Sequence, residues 1–216
     1  MTKILNVGQA LLSMRNAPYT TESALAELID NSLQAKADYI GLIIKEGLVE
    51  VNDRVVKRIE QIGIFDDGIG MDAELLQNCL AVGFSRNKFD PEGLGKFGYG
   101  MLIGSLSQSF RVEVYSWQEN SPIFHTYVDI RELIREESED IPEILEVKNL
   151  PLIDSIQEDR YLNRNKSGTL VILKDIDYSR VKVKTPGGLY NQMKARLGRI
   201  YRHFLDDDNT YGRKRN

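Results

Sequence analysis

The sequence predicts a two-layer α/β sandwich, in which helices cover one face of a sheet. The spacing of apolar residues over 23–35 is that of a helix with one buried stripe. Short apolar runs over 39–44 and 168–173 have the length of buried strands. Residues 110–117 alternate between polar and apolar side chains and are expected to pair with 123–130 as a hairpin.

Boundary signals divide the first third of the chain into elements. Residues 1–20 indicate a short helix or an arm, which Pro18 ends. Thr20 or Thr21 is the expected N-cap of the helix that follows, and Asp72 is the expected cap of a later helix. Between these two helices the sequence predicts three strands, over 39–44, 50–56 and 59–65.

The rest of the chain gives weaker signals. The turn-like pair Asn52 and Asp53 interrupts the second of the three strands. Residues 82–100 are rich in glycine and lack any period, so they predict a long mobile segment. The acidic section 131–165 is left unassigned except for one short strand. The remaining expected elements are a helix over 100–107, a strand over 144–147 and a helix over 188–205.

Composition limits the class of protein. A chain of 216 residues, 42% hydrophobic and 28% charged, fits one globular domain. The net charge of −4 argues against a domain that coats nucleic acid by charge alone. The single cysteine, Cys79, excludes a disulfide framework, and His125 and His203 lack the spacing of metal ligands. With no signal sequence and no run of about 18 apolar residues, we expect a soluble, cytoplasmic protein without membrane contact.

A carboxylate and a carboxamide stand side by side on the first long helix. Glu27 and Asn31 are four residues apart, so they project from the same face, opposite the apolar stripe. An amide oxygen is a hard ligand for Mg²⁺, and the carboxylate next to it can take a proton from an attacking water. The alternative interpretation is a solvated polar face, since Asp30 and Gln34 lie there too.

The third predicted strand runs into Asp66-Asp-Gly-Ile-Gly-Met71, where a carboxylate is followed by two glycines, Gly68 and Gly70. Glycines permit positive φ and let a flat ring lie against the backbone. A buried carboxylate only accepts hydrogen bonds, so it selects a donor such as an exocyclic amine. The alternative is an ordinary Asp-Gly turn between a strand and a helix.

A second glycine segment spans 93–98. Its G-x-G-x-x-G pattern is not that of a dinucleotide fold, because no strand leads into it, and Lys96 lacks the Ser or Thr that follows a P-loop lysine. The segment better fits a loop whose amides face phosphates ahead of a helix N-terminus. Lys88 and Lys96 would add positive charge there, unless they are solvated loop residues.

These three motifs, together with Ser167-Gly-Thr169 at the start of a strand, resemble the GHKL ATPase superfamily over about residues 20–175. This superfamily includes type II topoisomerases, ninety-kilodalton heat-shock chaperones, histidine kinases, MutL-type proteins and Microrchidia ATPases. Four stretches look most like the Microrchidia branch. They are Ala-Glu-Leu-Ile-Asp-Asn-Ser, Asp-Asp-Gly-Ile-Gly-Met, Gly83-Phe-Ser-Arg-Asn-Lys88 and Lys96-Phe-Gly-Tyr-Gly100. The heat-shock chaperones are the nearest alternative.

The resemblance implies a role for each matched residue. Glu27 would be the catalytic base and Asn31 the Mg²⁺ ligand, while Asp66 reads adenine, Met71 packs under the ring and Thr169 completes the base site. The full set implied to bind nucleotide is Asn31, Ala35, Asp66, Gly68, Gly70, Met71, Ser85, Lys88, Gly95, Lys96, Phe97, Gly98, Tyr99, Gly100, Met101 and Thr169. At Tyr99 and Met101 the sequence departs from relatives, which carry polar and lysine residues there.

The resemblance also implies an architecture and partners. The fold would be the Bergerat fold, with a mixed, mostly antiparallel sheet, helices on one face and an ATP lid over 83–101. The expected divisions are an arm over 1–20, an ATPase domain over 21–205 and a tail over 206–216, where a transducer domain would begin in relatives. ATP and Mg²⁺ are the expected cofactors, hydrolysis is expected to be slow, and an ATP-dependent homodimer is expected, with DNA and a protein client both open as further partners.

Three other interpretations stay open. They are a heat-shock-chaperone-like ATPase, a nucleotide-binding module without turnover, and a histidine-kinase-like phosphotransferase. The last normally needs a phosphoacceptor histidine on a preceding helix, and no histidine precedes residue 125.

Overall fold

Six strands form one open sheet in the computed structural model, which describes residues 6–83, 100–152 and 167–201. In the order in which they lie across the sheet, they are β1 (Ile40–Val51), β2 (Arg54–Asp66), β6 (Gly168–Ile176), β3 (Ser109–Trp117), β4 (Ile123–Asp129) and β5 (Leu145–Val147). Every pairing within the described ranges is antiparallel. The predicted α/β class and the mostly antiparallel character of the sheet are therefore confirmed.

Six helices accompany the sheet in the described part of the chain. They are α1 (Val7–Met14), α2 (Thr21–Gln34), α3 (Ala73–Asn78), α4 (Gly100–Gln108), α5 (Ile130–Glu136) and α6 (Pro186–Ile200). Each contributes buried apolar residues to one core cluster, which it shares with Ile62, Val112 and Leu173 of the sheet. A smaller cluster that includes Phe65 and Tyr115 is separate from it. The helices therefore share one face of the sheet, as the sequence predicts.

The three strands predicted before Asp72 are in fact two. β1 and β2 form one long hairpin. The predicted middle strand, 50–56, covers the end of β1, the two-residue turn and the start of β2. Asn52 and Asp53 both have positive φ, 50° and 59°, which a two-residue hairpin turn requires and which Asn and Asp tolerate. The prediction of an interrupted strand was wrong because the turn residues end one strand and begin its partner.

The other boundary signals are largely confirmed. The hydroxyl of Thr20 accepts a hydrogen bond from the N–H of Ser23, so Thr20 and not Thr21 is the N-cap of α2. Asp72 caps α3 in the same way, and the hairpin of β3 and β4 forms as expected. The unassigned section begins with α5, whose cap is Asp129.

Besides Leu11 in the core cluster, the buried side chain of Arg15 joins residues 6–20 to the rest of the fold. Arg15, only 6% exposed, donates to the carbonyl oxygens of Leu106 and Ser109 and to the carboxylate of Asp177. These bonds connect the end of α1 to α4, β3 and the chain after β6. Among the described residues, no helix combines the length and the hydropathy needed to cross a bilayer.

Candidate active site

One line of side chains on α2 organises the site. Glu27, Asn31 and Ala35 follow one another at intervals of four residues, so they lie along one side of the helix over about 12 Å. We call this line the site strip. Its two ends have defined neighbours, Gly100 at one end and Gly68 at the other.

At the first end, the Glu27 carboxylate lies against the N-terminus of α4. A Cβ atom added to Gly100 would collide with Oε2 of Glu27, so a side chain here would force the carboxylate to move away from this position. The first N–H groups of α4 have no partner within the helix and carry partial positive charge. A carboxylate and free amide donors therefore face the same space.

The electrostatics at Glu27 favour proton uptake. Partial burial and then the negative charge of Asp30 raise the pKa of Glu27 above its ordinary value. Within the described ranges, the side chains of Glu27 and Asn31 have no hydrogen-bond partner. Both polar groups are thus free to bind a ligand or a water.

At the other end of the site strip, β2 finishes in a buried carboxylate. Asp66 is 5% exposed; its Oδ2 accepts from the Ser32 hydroxyl at 2.8 Å and its Oδ1 accepts from the Gly68 N–H at 2.9 Å. Burial raises the pKa of Asp66 to about 6, and the two hydrogen bonds offset this only in part. Thr169 of β6 lies directly opposite in the sheet.

The turn after Asp66 is fixed to the end of α2. Asp67 accepts hydrogen bonds from the N–H groups of Asp38 and Tyr39, and the N–H of Ile69 donates to the Ala35 carbonyl. A Cβ at Gly68 would lie 2.7 Å from that same carbonyl oxygen. Gly68 is therefore required for close approach to the helix.

Gly70 is required for a different reason. Its φ is +64°, which glycine adopts at little cost, and a Cβ there would collide with the carbonyl oxygen of Trp117. The turn is thus pressed against the end of β3 on one side and against α2 on the other. Ile69, between the two glycines, is 55% exposed.

A serine not singled out from the sequence links three parts of the predicted base site. The hydroxyl of Ser116 accepts from the N–H of Met71, donates to the Gly168 carbonyl, and lies 3.0 Å from the Thr169 hydroxyl. Ser116 is fully buried and follows Val112 and Val114 on the core-facing side of β3. A polar residue at the end of a row of buried valines was the signal that could have revealed it.

The structure thus brings together most of the described candidates. One group lies on α2, at its end or against it, and consists of Glu27, Asn31, Ala35, Gly68 and Gly100. A second group meets where β2, β3 and β6 approach one another, and consists of Asp66, Gly70, Met71 and Thr169. Met101 is half-buried and packs against the core cluster. Seven candidates lie outside the described residues, namely Ser85, Lys88, Gly95, Lys96, Phe97, Gly98 and Tyr99.

Comparisons with known proteins identify the family of the chain. A family model described as histidine kinase-, DNA gyrase B- and HSP90-like ATPase matches residues 19–169, more than half of the chain. The protein MICRORCHIDIA 6 of Arabidopsis thaliana is 29% identical over 93 residues, which is 43% of this chain and 13% of that protein. The span that the family model matches contains α2, the turn after Asp66 and Thr169. The chain therefore belongs to the family of histidine kinase-, DNA gyrase B- and HSP90-like ATPases.

Proposed function

We propose that this chain binds ATP with Mg²⁺ between α2 and the ends of β2 and β6, and hydrolyses it slowly. The observation that carries the proposal is the joint placement of Glu27 and Asp66. The carboxylate of Glu27 projects from α2 toward the N-terminus of α4, and the carboxylate of Asp66 ends β2 and accepts a hydrogen bond from Ser32 of α2. A nucleotide along the site strip would meet one carboxylate with its base and the other with its phosphates.

Base recognition would depend on Asp66. The carboxylate keeps acceptor capacity beyond its bonds to Ser32 and Gly68, because each oxygen has two lone pairs. It would accept from the exocyclic amine of adenine, and the Thr169 hydroxyl would complete the site. Met71, held by Ser116, would pack beneath the ring. This arrangement selects a base that presents a donor.

The phosphate end would use the residues around Glu27. Asn31 fits a divalent cation, because a free amide oxygen is a hard ligand and phosphate and water oxygens would supply the remaining positions. Bound Mg²⁺ would offset the charge that develops on the phosphates. Glu27 would take a proton from the attacking water, and the amides at the start of α4 would donate to phosphate oxygens. We further propose that residues 83–101 close over the γ-phosphate.

The similarity to MICRORCHIDIA 6 supports a protein of the Microrchidia kind, and we propose that nucleotide binding acts as a switch that drives dimerisation. We propose a homodimer that forms with ATP, and DNA or a protein as its client. The measurement is light scattering with and without a non-hydrolysable ATP analogue. If the measured mass does not change when the analogue is added, the proposal that ATP binding drives dimerisation is wrong.

A second candidate function is nucleotide binding without turnover. The sequence at Tyr99 and Met101, which departs from relatives, favours it. Phosphate release decides between the two, with Glu27→Gln compared to Glu50→Gln, a control on the exposed side of β1. We expect Glu27→Gln to lower turnover at least about 100-fold and to leave calorimetric ATP binding intact, while the control matches wild type. Equal rates for Glu27→Gln and wild type would remove Glu27 as the base, and ATP binding without any release would establish the second candidate.

A further inference from the structure

A second line of residues on α2 receives the last helix. Glu22, Ala26 and Asp30 also follow one another at intervals of four, next to the site strip. Gln192 of α6 donates to the Glu22 carboxylate at 2.7 Å, and Arg196 lies 3.9 Å from the same oxygen. We call this line the docking strip. It places α6 directly beside the residues of the candidate active site.

The docking strip ends in a contact with the residue that follows α6. The hydroxyl of Tyr201 lies 2.7 Å from Oδ1 of Asp30 and 3.0 Å from the carbonyl oxygen of Ala26, and it has one proton to share between these two acceptors. Tyr201 is 8% exposed, and the α6 residues Leu189 and Met193 are 0% and 1% exposed. The packing of α6 therefore fixes where the hydroxyl lies.

The two acceptors of Tyr201 bracket Glu27. Ala26 precedes it by one residue and Asp30 follows it by three, within a single turn of α2. A donor that holds both atoms restrains that turn, and with it the direction in which Glu27 leaves the helix. The Asp30 carboxylate is also kept next to Glu27, since side chains three residues apart are neighbours on a helix.

We propose that Tyr201 is a positioning residue for hydrolysis, acting through Asp30 and the Ala26 carbonyl to hold the turn that presents Glu27. This proposal rests on the proposed function of Glu27 as the base. Tyr201 itself would not touch the nucleotide. Its effect would fall on the chemical step, because small displacements of a base reduce the rate strongly while substrate contacts elsewhere persist. The docking of α6 on α2 would then be part of the hydrolysis machinery.

The charge of Asp30 supports the same role. A neighbouring carboxylate raises the proton affinity of a base, and a base with higher affinity takes a proton from water more readily. The other ionisable groups coupled to Glu27 in the described chain are Tyr19 and Tyr201, both neutral phenols whose pKa is raised, mainly by burial. Asp30 is thus the charged group that acts on Glu27 most directly.

The test is a double-mutant cycle on turnover with Tyr201→Phe, Asp30→Ala and both together. We expect Tyr201→Phe to lower kcat about fivefold, with KM for ATP and the melting temperature little changed. In the Asp30→Ala variant, adding Tyr201→Phe should lower kcat by less than about twofold, because the main acceptor of the Tyr201 hydroxyl is gone. Tyr190→Phe is the matched control, since that tyrosine lies on α6 but is 54% exposed, and it should match wild type.

Two kinds of result would overturn the positioning role. One is equal loss from Tyr201→Phe in both backgrounds, or no loss at all. The other is a fall in kcat that is accompanied by a higher KM and a lower melting temperature, which indicates a purely structural residue. These outcomes differ from failure of the proposed function, in which wild type itself releases no phosphate and the positioning role falls with it.

Discussion

The carboxylate of Asp66 accepts a hydrogen bond from the hydroxyl of Ser32 at 2.8 Å, across the boundary between β2 and α2. This one bond connects the strand end that would read a base to the helix that carries Glu27. The two halves of the site are therefore parts of one rigid unit, although 39 residues separate Glu27 from Asp66 in the sequence. The consequences can be tested at each half.

Asp66→Asn should weaken nucleotide binding and leave the fold intact. Asparagine can still accept from the Gly68 N–H and can donate to Ser32, but it loses the charged acceptor offered to adenine. We expect a loss of about 2 kcal/mol, about 30-fold in Kd, by calorimetry with ADP. The melting temperature of the nucleotide-free protein should be unchanged or higher, because the buried charge is gone. An unchanged Kd would show that Asp66 does not contact the base.

The pKa of Asp66 predicts a pH dependence with a defined sign. In the unfolded chain the pKa of this carboxyl is near its ordinary value of 3.8, and in the folded protein the pKa is raised to about 6. Between these values the folded state binds more protons, so this group's contribution to stability falls as the pH rises. The loss is about 3 kcal/mol above pH 6.

Nucleotide binding should show the opposite dependence on pH. Below about pH 6 the carboxyl is protonated and its charged acceptor is lost, so the Kd for ADP should rise as the pH falls from about 7.5 to about 5. Phosphate groups titrate in the same range, and Asp66→Asn is the control for them. The part of the pH dependence of Kd that is absent from Asp66→Asn is due to Asp66. If wild type and the variant show the same dependence of Kd on pH, Asp66 does not bind the nucleotide as a charged acceptor.

Gly100→Ala should separate turnover from stability. The added methyl group would occupy the place of the Glu27 carboxylate, which can turn aside because it is the end of a flexible side chain. We expect turnover to fall at least about tenfold, with the melting temperature maintained. Gly198→Ala is the matched control in α6, where a Cβ meets nothing within 4 Å. It should stabilise the protein by about 0.5–1 kcal/mol and leave turnover alone.

Much of the candidate site followed from local signals in the sequence. Helical spacing was enough to place Glu27 and Asn31 on one face, and a strand that runs into Asp-Asp-Gly was enough to place the buried carboxylate of Asp66 at the end of a strand. The positive φ of Gly70 followed from the same motif. Each of these features depends on residues close together in the chain, and such features can be predicted without knowing the fold.

What the sequence did not reveal depends on distant partners. Ser32 and Ser116 matter because of Asp66 and Thr169, and Tyr201 matters because of Asp30, 171 residues away. The β1–β2 hairpin was divided wrongly because its outer half lies beyond the strands that pair with it. β2 pairs with β6 only over 62–66, so the rest lacks the continuous apolar pattern of a buried strand.

The contribution of residues 6–20 to stability can be tested through Arg15. Replacing Arg15 by Met would remove the hydrogen bonds that Arg15 donates to two carbonyl oxygens and to Oδ2 of Asp177, and would leave that carboxylate without its cation in a buried place. Removing one partner of a buried ion pair costs about 3–5 kcal/mol, so the urea midpoint should fall sharply. Arg135→Met is the control, because its pair with Glu136 is exposed and should contribute nothing measurable. If both variants unfold at the wild-type midpoint, the bonds of Arg15 contribute no measurable stability, and if only Arg15→Met is destabilised these bonds help to hold residues 6–20 on the domain that carries the site.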